Sequence, residues 1–149
     1  MISTITKIEY LEMYSIVGIA LEVHKYLGRG LEEAIYQEAL EFELKNRGIR
    51  YEAQKPLHMY YKGHQLTKLY IADLICNDGI MVELKAVEHI SSEHRAQLMN
   101  YMRITKIRRG LLINFGERSL RAERYIYQEE TDDFALINEL NLKKYVTTE

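Results

Sequence analysis

Two acidic residues and a lysine interrupt the most hydrophobic stretch of the chain. Asp73, Glu83 and Lys85 lie within residues 70–89, YIADLICNDGIMVELKAVEH, whose other positions are mostly typical of two buried strands. Burying two carboxylates without partners is costly in free energy. The spacing leaves two explanations: a salt bridge from Lys85 on a partly exposed face, or a divalent cation held by both acids beside Lys85. Mg²⁺ typically takes one or two protein carboxylates and keeps its other positions for water and phosphate.

The turn at residues 77–79, NDG, decides which side chains face each other. A three-residue loop with glycine last is typical of a type I turn followed by a left-handed residue. It pairs residue 76 with 80 and therefore Asp73 with Glu83, whose Cβ atoms would be roughly 5 Å apart. Lys85 would project from the same face. The other face would be wholly apolar, with Tyr70, Ala72, Leu74 and Cys76 against Ile80, Val82, Leu84 and Ala86.

This arrangement suits hydrolysis of a phosphodiester. A cation between the two acids stabilises a leaving oxygen and generates hydroxide, and a lysine can position or deprotonate an attacking water.

Two helices and a set of strands should precede and carry this hairpin. Residues 5–27 have an apolar stripe with a 3.6-residue period, and a second helix of about 31–47 ends at Gly48. Residues 51–87 are rich in tyrosine and contain turn signals, which predicts three or four antiparallel strands.

Another helix, two strands and a short helix should follow it. Residues 92–104 predict the third helix, and the apolar, glycine-bounded run 109–116 predicts a buried strand. Residues 122–129 alternate like an edge strand, and the C-terminal DDFALINELNLKKY predicts a short final helix. The order ααβββαββα indicates a single α/β sandwich domain over residues 1–149, with helices flanking a mixed sheet.

The charge and composition of the chain limit the kinds of partner that it is expected to bind. The longest apolar runs fall short of 18 residues, so no membrane association is expected, and the single cysteine, Cys76, favours a reducing cytoplasm. Residues 101–125 hold seven Arg or Lys against two Glu, whereas the net charge of the chain is −2. That distribution favours a limited phosphate-contacting surface, or else a solvated face that pairs with the acidic tail. The candidate phosphate contacts are Arg103, Lys106, Arg108 and Arg109.

The pattern Asp-x9-Glu-x-Lys on a hairpin between helices resembles the PD-(D/E)XK nuclease superfamily. Gly30, Glu33 and Tyr36 match the signature of that superfamily's bacterial GxxExxY proteins. Five blocks look like that family's blocks in its order, over roughly residues 10–127: VHKYLGRGLEEAIYQEAL, YIADL, VELKAVE, HRAQLMNYMR and GLLINFG. Ala72 stands where the superfamily's name has a proline. The resemblance implies a restriction-endonuclease-like, three-layer fold with a mixed central sheet of about four to six strands.

The resemblance also implies roles for the hairpin residues. Asp73 and Glu83 would be the metal ligands, with the backbone carbonyl of Leu84 joining them, and Lys85 would be the catalytic lysine. Glu33 would be a further metal ligand or an orienting group; the alternative for Glu33 is an ordinary exposed position in an acidic helix.

Two residues of the third helix match a further motif. Gln97 and Tyr101 resemble the QxxxY element of the RecB and lambda-exonuclease branch, and their spacing places them on one helix face. Gln97 could bind a metal-bound water or substrate and Tyr101 a phosphate, or the pair could close the edge of the core.

The expected function is therefore a Mg²⁺- or Mn²⁺-dependent nuclease that acts on DNA rather than RNA. The alternative is a nucleic-acid-binding module with this fold and little or no catalysis. A homodimer would let so small a domain reach both strands of a duplex.

Overall fold

Two long helices cover one face of a six-stranded sheet, and a third helix covers the other. The computed structural model describes residues 4–147. The helices are α1 (Lys7–Leu27), α2 (Glu33–Asn46), α3 (Ser92–Thr105) and α4 (Leu142–Tyr145). The strands are β1 (Tyr51–Leu57), β2 (Tyr60–Tyr61), β3 (His64–Gln65), β4 (Tyr70–Cys76), β5 (Ile80–Lys85), β6 (Arg109–Asn114), β7 (Arg121–Gln128) and β8 (Asp133–Ile137).

The sheet is mixed, as the sequence predicts. Its order is β1-β4-β5-β6-β7-β8, and β2 and β3 form a separate small sheet. Strands β5 and β6 pair in parallel, while the other neighbours in the large sheet pair antiparallel. Helix α3 makes the crossover between β5 and β6, as a parallel pair requires. The α/β sandwich with a mixed central sheet is confirmed.

The sheet divides the core into two clusters. On the α1 and α2 side, Ile16 and Leu40 pack with Val82 and Leu84. On the α3 side, Leu98 and Met102 pack with sheet residues that include Met81 and Leu112. Burying a Leu or Ile side chain fully contributes roughly 1.5–3 kcal/mol to stability, so the two clusters fix the helices against the sheet. Gly110 permits the α3 contact, since a Cβ there would clash with Met102.

The C-terminal region differs from its prediction. Residues 133–137 form the edge strand β8 rather than part of a helix, so β7 is an interior strand, and only 142–145 are helical. Ala135 and Ile137 are buried while Leu136 between them is exposed. This two-residue alternation against β7 outweighs the helix-capping signal of the preceding aspartates. The observed order is ααβββββαβββα.

The β4–β5 turn keeps the predicted register with different backbone geometry. Leu74 pairs with Val82, and Cys76 pairs with Ile80. The left-handed residues are Asn77 (φ +51°) and Asp78 (φ +59°), and Gly79 is not one of them. Asn and Asp tolerate this conformation, so the glycine is not needed for it.

The helices of the structure bear on the expectation that the protein does not associate with a membrane. Of the helices within residues 4–147, none combines the length and apolar character that crossing a bilayer demands.

Candidate functional site

Strands β4 and β5 separate at Asp73 and Glu83. Their ladder ends at the pair Leu74–Val82. Beyond it, the Asp73 N–H donates to Glu83 Oε1 (3.3 Å), and the Leu84 N–H donates to Asp73 Oδ2 (2.9 Å). Side-chain carboxylates thus replace backbone carbonyls as acceptors, and the two acids lie against each other as the register predicts.

Strand β4 also changes face at Asp73. Tyr70 and Ala72 belong to the α3-side cluster, whereas Leu74 and Cys76 belong to the cluster on the α1 and α2 side. The expectation of one continuous apolar face from Tyr70 to Cys76 is therefore wrong. The side chain of Asp73 is directed along the sheet towards β5 because the strand switches faces at this residue.

Two glutamines provide hydrogen bonds where the ladder between β1 and β4 is interrupted at Asp73. In the β1–β4 ladder, Ala53–Leu74 and Lys55–Ala72 are paired residues, and the intervening Gln54–Asp73 pair is absent. Gln54 has a left-handed backbone (φ +49°) and donates to Gln37 Oε1 (3.0 Å). Gln37 Nε2 in turn donates to the Asp73 carbonyl (3.0 Å). The buried Gln37 therefore replaces a ladder hydrogen bond.

The electrostatics of Glu83 are those of a carboxylate without a counter-charge. Burial, and next the charge of Asp73, raise the pKa of Glu83 to about 8. The Tyr70 hydroxyl donates to Glu83 and opposes this shift. Across residues 4–147, no salt bridge within 4.0 Å involves Asp73 or Glu83. The salt bridge from Lys85, one of the two explanations for the charges, does not form.

Helix α2 brings Glu33 to the same place. Glu33 is the first residue of α2, and Gln37 one turn later anchors the helix to Asp73. Partial burial, and next the charge of Asp73, raise the pKa of Glu33, while Lys85 lowers it. Glu33, Asp73, Glu83 and Lys85 therefore form one electrostatic group at the carboxyl end of β5.

Tyr36 fixes the loop that precedes this helix. Its hydroxyl donates to the Gly28 carbonyl (2.6 Å) and accepts from the Leu31 N–H (3.2 Å). Its ring stacks on Phe115, with centroids 4.6 Å apart. The tyrosine of the GxxExxY pattern therefore acts here as a buried support for the start of α2.

The donor set suits a hard cation with few protein ligands. In the described part of the chain, no three His, Cys, Asp or Glu side chains form a ready-made metal cluster. Asp73 and Glu83 are a pair of uncompensated carboxylates, which is the protein contribution that Mg²⁺ commonly uses. The residues therefore fit such an ion, with Glu33 outside the immediate pair. The Leu84 side chain is buried in the core, so Leu84 could contribute only through its backbone.

Helix α3 reaches the site through two stacked tyrosines. The Tyr101 ring stacks on Tyr70, with centroids 3.4 Å apart and an interplanar angle of 13°, and Tyr70 binds Glu83. Gln97 is exposed and shares a shallow pocket with Tyr101. His94 Nδ1 accepts from the Ser91 N–H and so completes the N-terminal cap of α3.

The predicted basic contacts lie away from the acids. Arg109 is only 7% exposed and donates to Glu12 Oε1 (2.8 Å) in α1, so its guanidinium is committed to the fold. The β5–β6 register sets Arg109 beside Ile80 and Leu112 beside Glu83. Three residues of strand span roughly 10 Å, and Arg103, Lys106 and Arg108 lie at this same far end of α3. The four candidate phosphate contacts therefore lie towards the start of β5 and β6, while the acids lie towards the end of β5.

Two other basic residues line a groove beside the segment that follows Lys85. A groove of about 430 Å³ follows Lys85 and is lined by Arg29, His89 and the backbone of Gly30 and Gly116, among others. The sequence pattern gives Arg29 no role beyond its place in the block VHKYLGRGLEEAIYQEAL. Tyr70, Gln37 and Gln54 were also missed; the one available signal was that Gln37 lies one helical turn after Glu33.

The comparisons with known proteins give one match. The sequence model of a protein family, described as the PD-(D/E)XK nuclease superfamily, matches residues 11–126. No curated protein and no solved structure matched the chain. The matched segment covers most of the chain and contains all four charged residues at the carboxyl end of β5. The chain belongs to the PD-(D/E)XK nuclease superfamily.

Proposed function

We propose that this protein is a metal-dependent phosphodiesterase that cleaves DNA in preference to RNA. One observation carries the proposal: Asp73 and Glu83 lie against each other without a salt bridge, and the pKa of Glu83 is raised to about 8. Membership of the superfamily supports a nuclease-type function and a nucleic-acid substrate, and nucleases of this superfamily generally use divalent metals. The matching Gly30, Glu33 and Tyr36 support a place among its GxxExxY proteins.

The ion would be Mg²⁺ or Mn²⁺. The carboxylates of Asp73 and Glu83 and the carbonyl of Leu84 would hold it, with Glu33 as a further ligand or an orienting group. When bound, such an ion stabilises the charge that develops on phosphate and leaving oxygens and lowers the pKa of water.

The remaining steps fall to side chains of this chain. Lys85 would hold the attacking water against the phosphate through its ammonium group, and the proton of that water would pass to solvent. The Tyr70 hydroxyl orients the Glu83 carboxylate. Gln97 and Tyr101 contact the substrate from α3, and Arg29 contacts a neighbouring phosphate. Substrate that extends along the sheet would reach Arg103, Lys106 and Arg108, and we leave the buried Arg109 out of this surface.

Cleavage of a substrate panel tests the proposal. Linear, circular, single-stranded and RNA substrates are incubated with Mg²⁺ or Mn²⁺ and wild-type protein, Asp73→Asn, Lys85→Ala or the control Glu123→Gln. We expect metal-dependent cleavage by wild type, and a loss of at least about 100-fold in Asp73→Asn and Lys85→Ala. Gln97→Ala should lower cleavage and keep the melting temperature, because Gln97 is exposed.

Two results would count against the enzyme. Absence of cleavage of every substrate with either metal would contradict it, and binding without cleavage would favour a binding module. Activity retained in Asp73→Asn would point to a contaminant.

Light scattering of the active protein checks whether it forms the homodimer that would present two such sites to a duplex.

A further inference from the structure

A short arm projects from the sheet next to the acids. Residues 58–69 leave the sheet after Leu57 and return at Tyr70, and these two residues pair with each other. The arm is closed by the Leu66 N–H, which donates to the Met59 carbonyl (2.9 Å). At its tip, β2 and β3 pair across the turn at Lys62 and Gly63, both with positive φ. The arm is therefore an ordered hairpin with a fixed base.

The arm is basic in a chain of net negative charge. From residue 53 to residue 72 there is no Asp or Glu, while Lys62, Lys68, His58 and His64 fall within this stretch. Among residues 4–147, Lys62 and Lys68 take part in no salt bridge. Two lysines with free ammonium groups on an acid-free hairpin attract a polyanion.

The arm also presents two aromatic rings to solvent. Tyr60 is 57% exposed and Tyr61 is 61% exposed. The Lys62 Nζ lies 5.5 Å from the centre of the Tyr61 ring. Exposed aromatic rings beside cationic groups are how proteins bind single-stranded nucleic acid, since bases stack on the rings and phosphates contact the cations.

The base of the arm touches the candidate site. Tyr70, where the arm rejoins the sheet, binds Glu83 and lies three residues before Asp73 on β4. Three strand residues span roughly 10 Å. The arm therefore joins the sheet beside the two acids, and nucleic acid that follows the arm to its base would reach them.

We propose that the arm binds a single-stranded stretch of the substrate beside the scissile phosphodiester. Bases stack on Tyr60 and Tyr61, and Lys62 and Lys68 contact the phosphates. The inference rests on the proposed nuclease function, because it assigns the arm to the substrate of that site.

Binding without cleavage tests the arm. Fluorescence anisotropy in EDTA is recorded with a labelled oligothymidylate and with a blunt duplex of the same length. Tyr60→Ala combined with Tyr61→Ala should weaken single-strand binding by roughly tenfold or more and change duplex binding much less. Tyr60→Phe with Tyr61→Phe should retain binding, because a phenyl ring also stacks. The matched control is Tyr26→Ala, which removes a ring that is 90% exposed on α1 and should leave both affinities unchanged.

A second variant tests the lysines. Lys62→Gln with Lys68→Gln should flatten the salt dependence of single-strand binding by about 1.4 in the slope of log K against log salt, at roughly 0.7 per phosphate contact. An unchanged slope would remove both lysines from the contact.

The results separate the arm from the nuclease function. Wild-type affinity in the double alanine variant would overturn the arm proposal and leave cleavage untouched, and equal losses for single strand and duplex would overturn its single-strand preference. If wild type binds no nucleic acid, the arm is instead a surface for another kind of partner and the proposal fails. Arm-dependent binding without cleavage by metal-loaded wild type would contradict the nuclease function alone.

Discussion

Two acidic residues in one row of the sheet have opposite surroundings. Glu83 on β5 pairs with Leu112 on β6, and Leu112 pairs with Glu123 on β7. The two glutamates therefore lie two strands apart, roughly 10 Å from each other. Both accept a hydrogen bond from a tyrosine, Tyr70 for Glu83 and Tyr125 for Glu123.

Glu123 has a positively charged side chain beside it, and Glu83 does not. Arg95 of α3 donates two hydrogen bonds to Glu123, at 2.8 and 2.9 Å. Burial raises the pKa of Glu123, but the hydrogen bonds from Arg95 and Tyr125 outweigh it, and the pKa is lowered overall. Glu83 has Asp73 where Glu123 has Arg95, and its pKa is raised to about 8.

The contrast shows what is missing at Glu83. The same helix and the same face of the sheet provide one carboxylate with a bidentate guanidinium and leave the other against a second carboxylate. A carboxylate is held charged in a partly buried place only if a positive charge compensates it. The metal ion that we propose at Asp73 and Glu83 would supply that charge.

Removing Arg95 should leave Glu123 without a cation, as Glu83 is, and should lower the stability of the folded protein markedly. Breaking a buried pair costs roughly 3–5 kcal/mol, and about 2 kcal/mol is expected here because Arg95 is a third exposed. Arg95→Ala should therefore lower the free energy of unfolding by about 2 kcal/mol in urea titrations. Arg103→Ala, on the same helix and bonded to Asn100 near the surface, is the control. A wild-type transition for Arg95→Ala would mean that Glu123 does not depend on its cation.

The pH dependence of the metal-free protein should separate the two glutamates. The folded pKa of Glu83 is raised. Glu83 therefore contributes its full stabilisation below about pH 4.5, and this contribution falls as the pH rises to about 8. Glu123, with a lowered pKa, contributes stability above about 4.5 that is lost in acid.

Urea unfolding in EDTA between pH 5 and pH 8 measures this difference. Wild type should lose roughly 3 kcal/mol more than Glu83→Gln over that range, because glutamine does not titrate. Glu123→Gln should keep the wild-type slope. Parallel curves for wild type and Glu83→Gln would contradict the raised pKa.

Sequence reasoning was most successful where the pattern was local. The three long helices and the register of the β4–β5 hairpin follow from apolar periodicity and from loop length. The strand β8 was missed because a capping signal and a strand pattern overlap in DDFALI, and contact with β7 decides between them. The charged trio was visible because acidic residues are conspicuous inside apolar strands.

Features that depend on tertiary contact were not predictable. Nothing in the sequence near Arg109 shows that Glu12, far earlier in the chain, pairs with it. The face switch at Asp73 depends on Gln37 and Gln54, which come from two other elements. Likewise, the distance from the basic band to the acids depends on the parallel register of β5 and β6.

Removing one tyrosine hydroxyl should produce the smallest effect. The hydrogen bond from Tyr70 lowers the pKa of Glu83, so Tyr70→Phe should raise it and shift the pH midpoint of metal-dependent cleavage upward by less than about 1 unit. The stack on Tyr101 is kept by the phenyl ring. Tyr125→Phe removes the equivalent bond to Glu123 and should leave the pH profile in place. A downward shift in Tyr70→Phe would mean that the hydroxyl does not support the charged carboxylate.

The melting temperature with and without Mn²⁺ tests the central claim most directly. A ligand that binds only the folded state stabilises it by mass action, so millimolar Mn²⁺ should raise the melting temperature of wild type at pH 7 by about 5 °C. Asp73→Asn should abolish the rise, and Glu123→Gln should melt lower but keep it. An unchanged melting curve for wild type, or an equal rise in Asp73→Asn, would contradict a metal ion at Asp73 and Glu83.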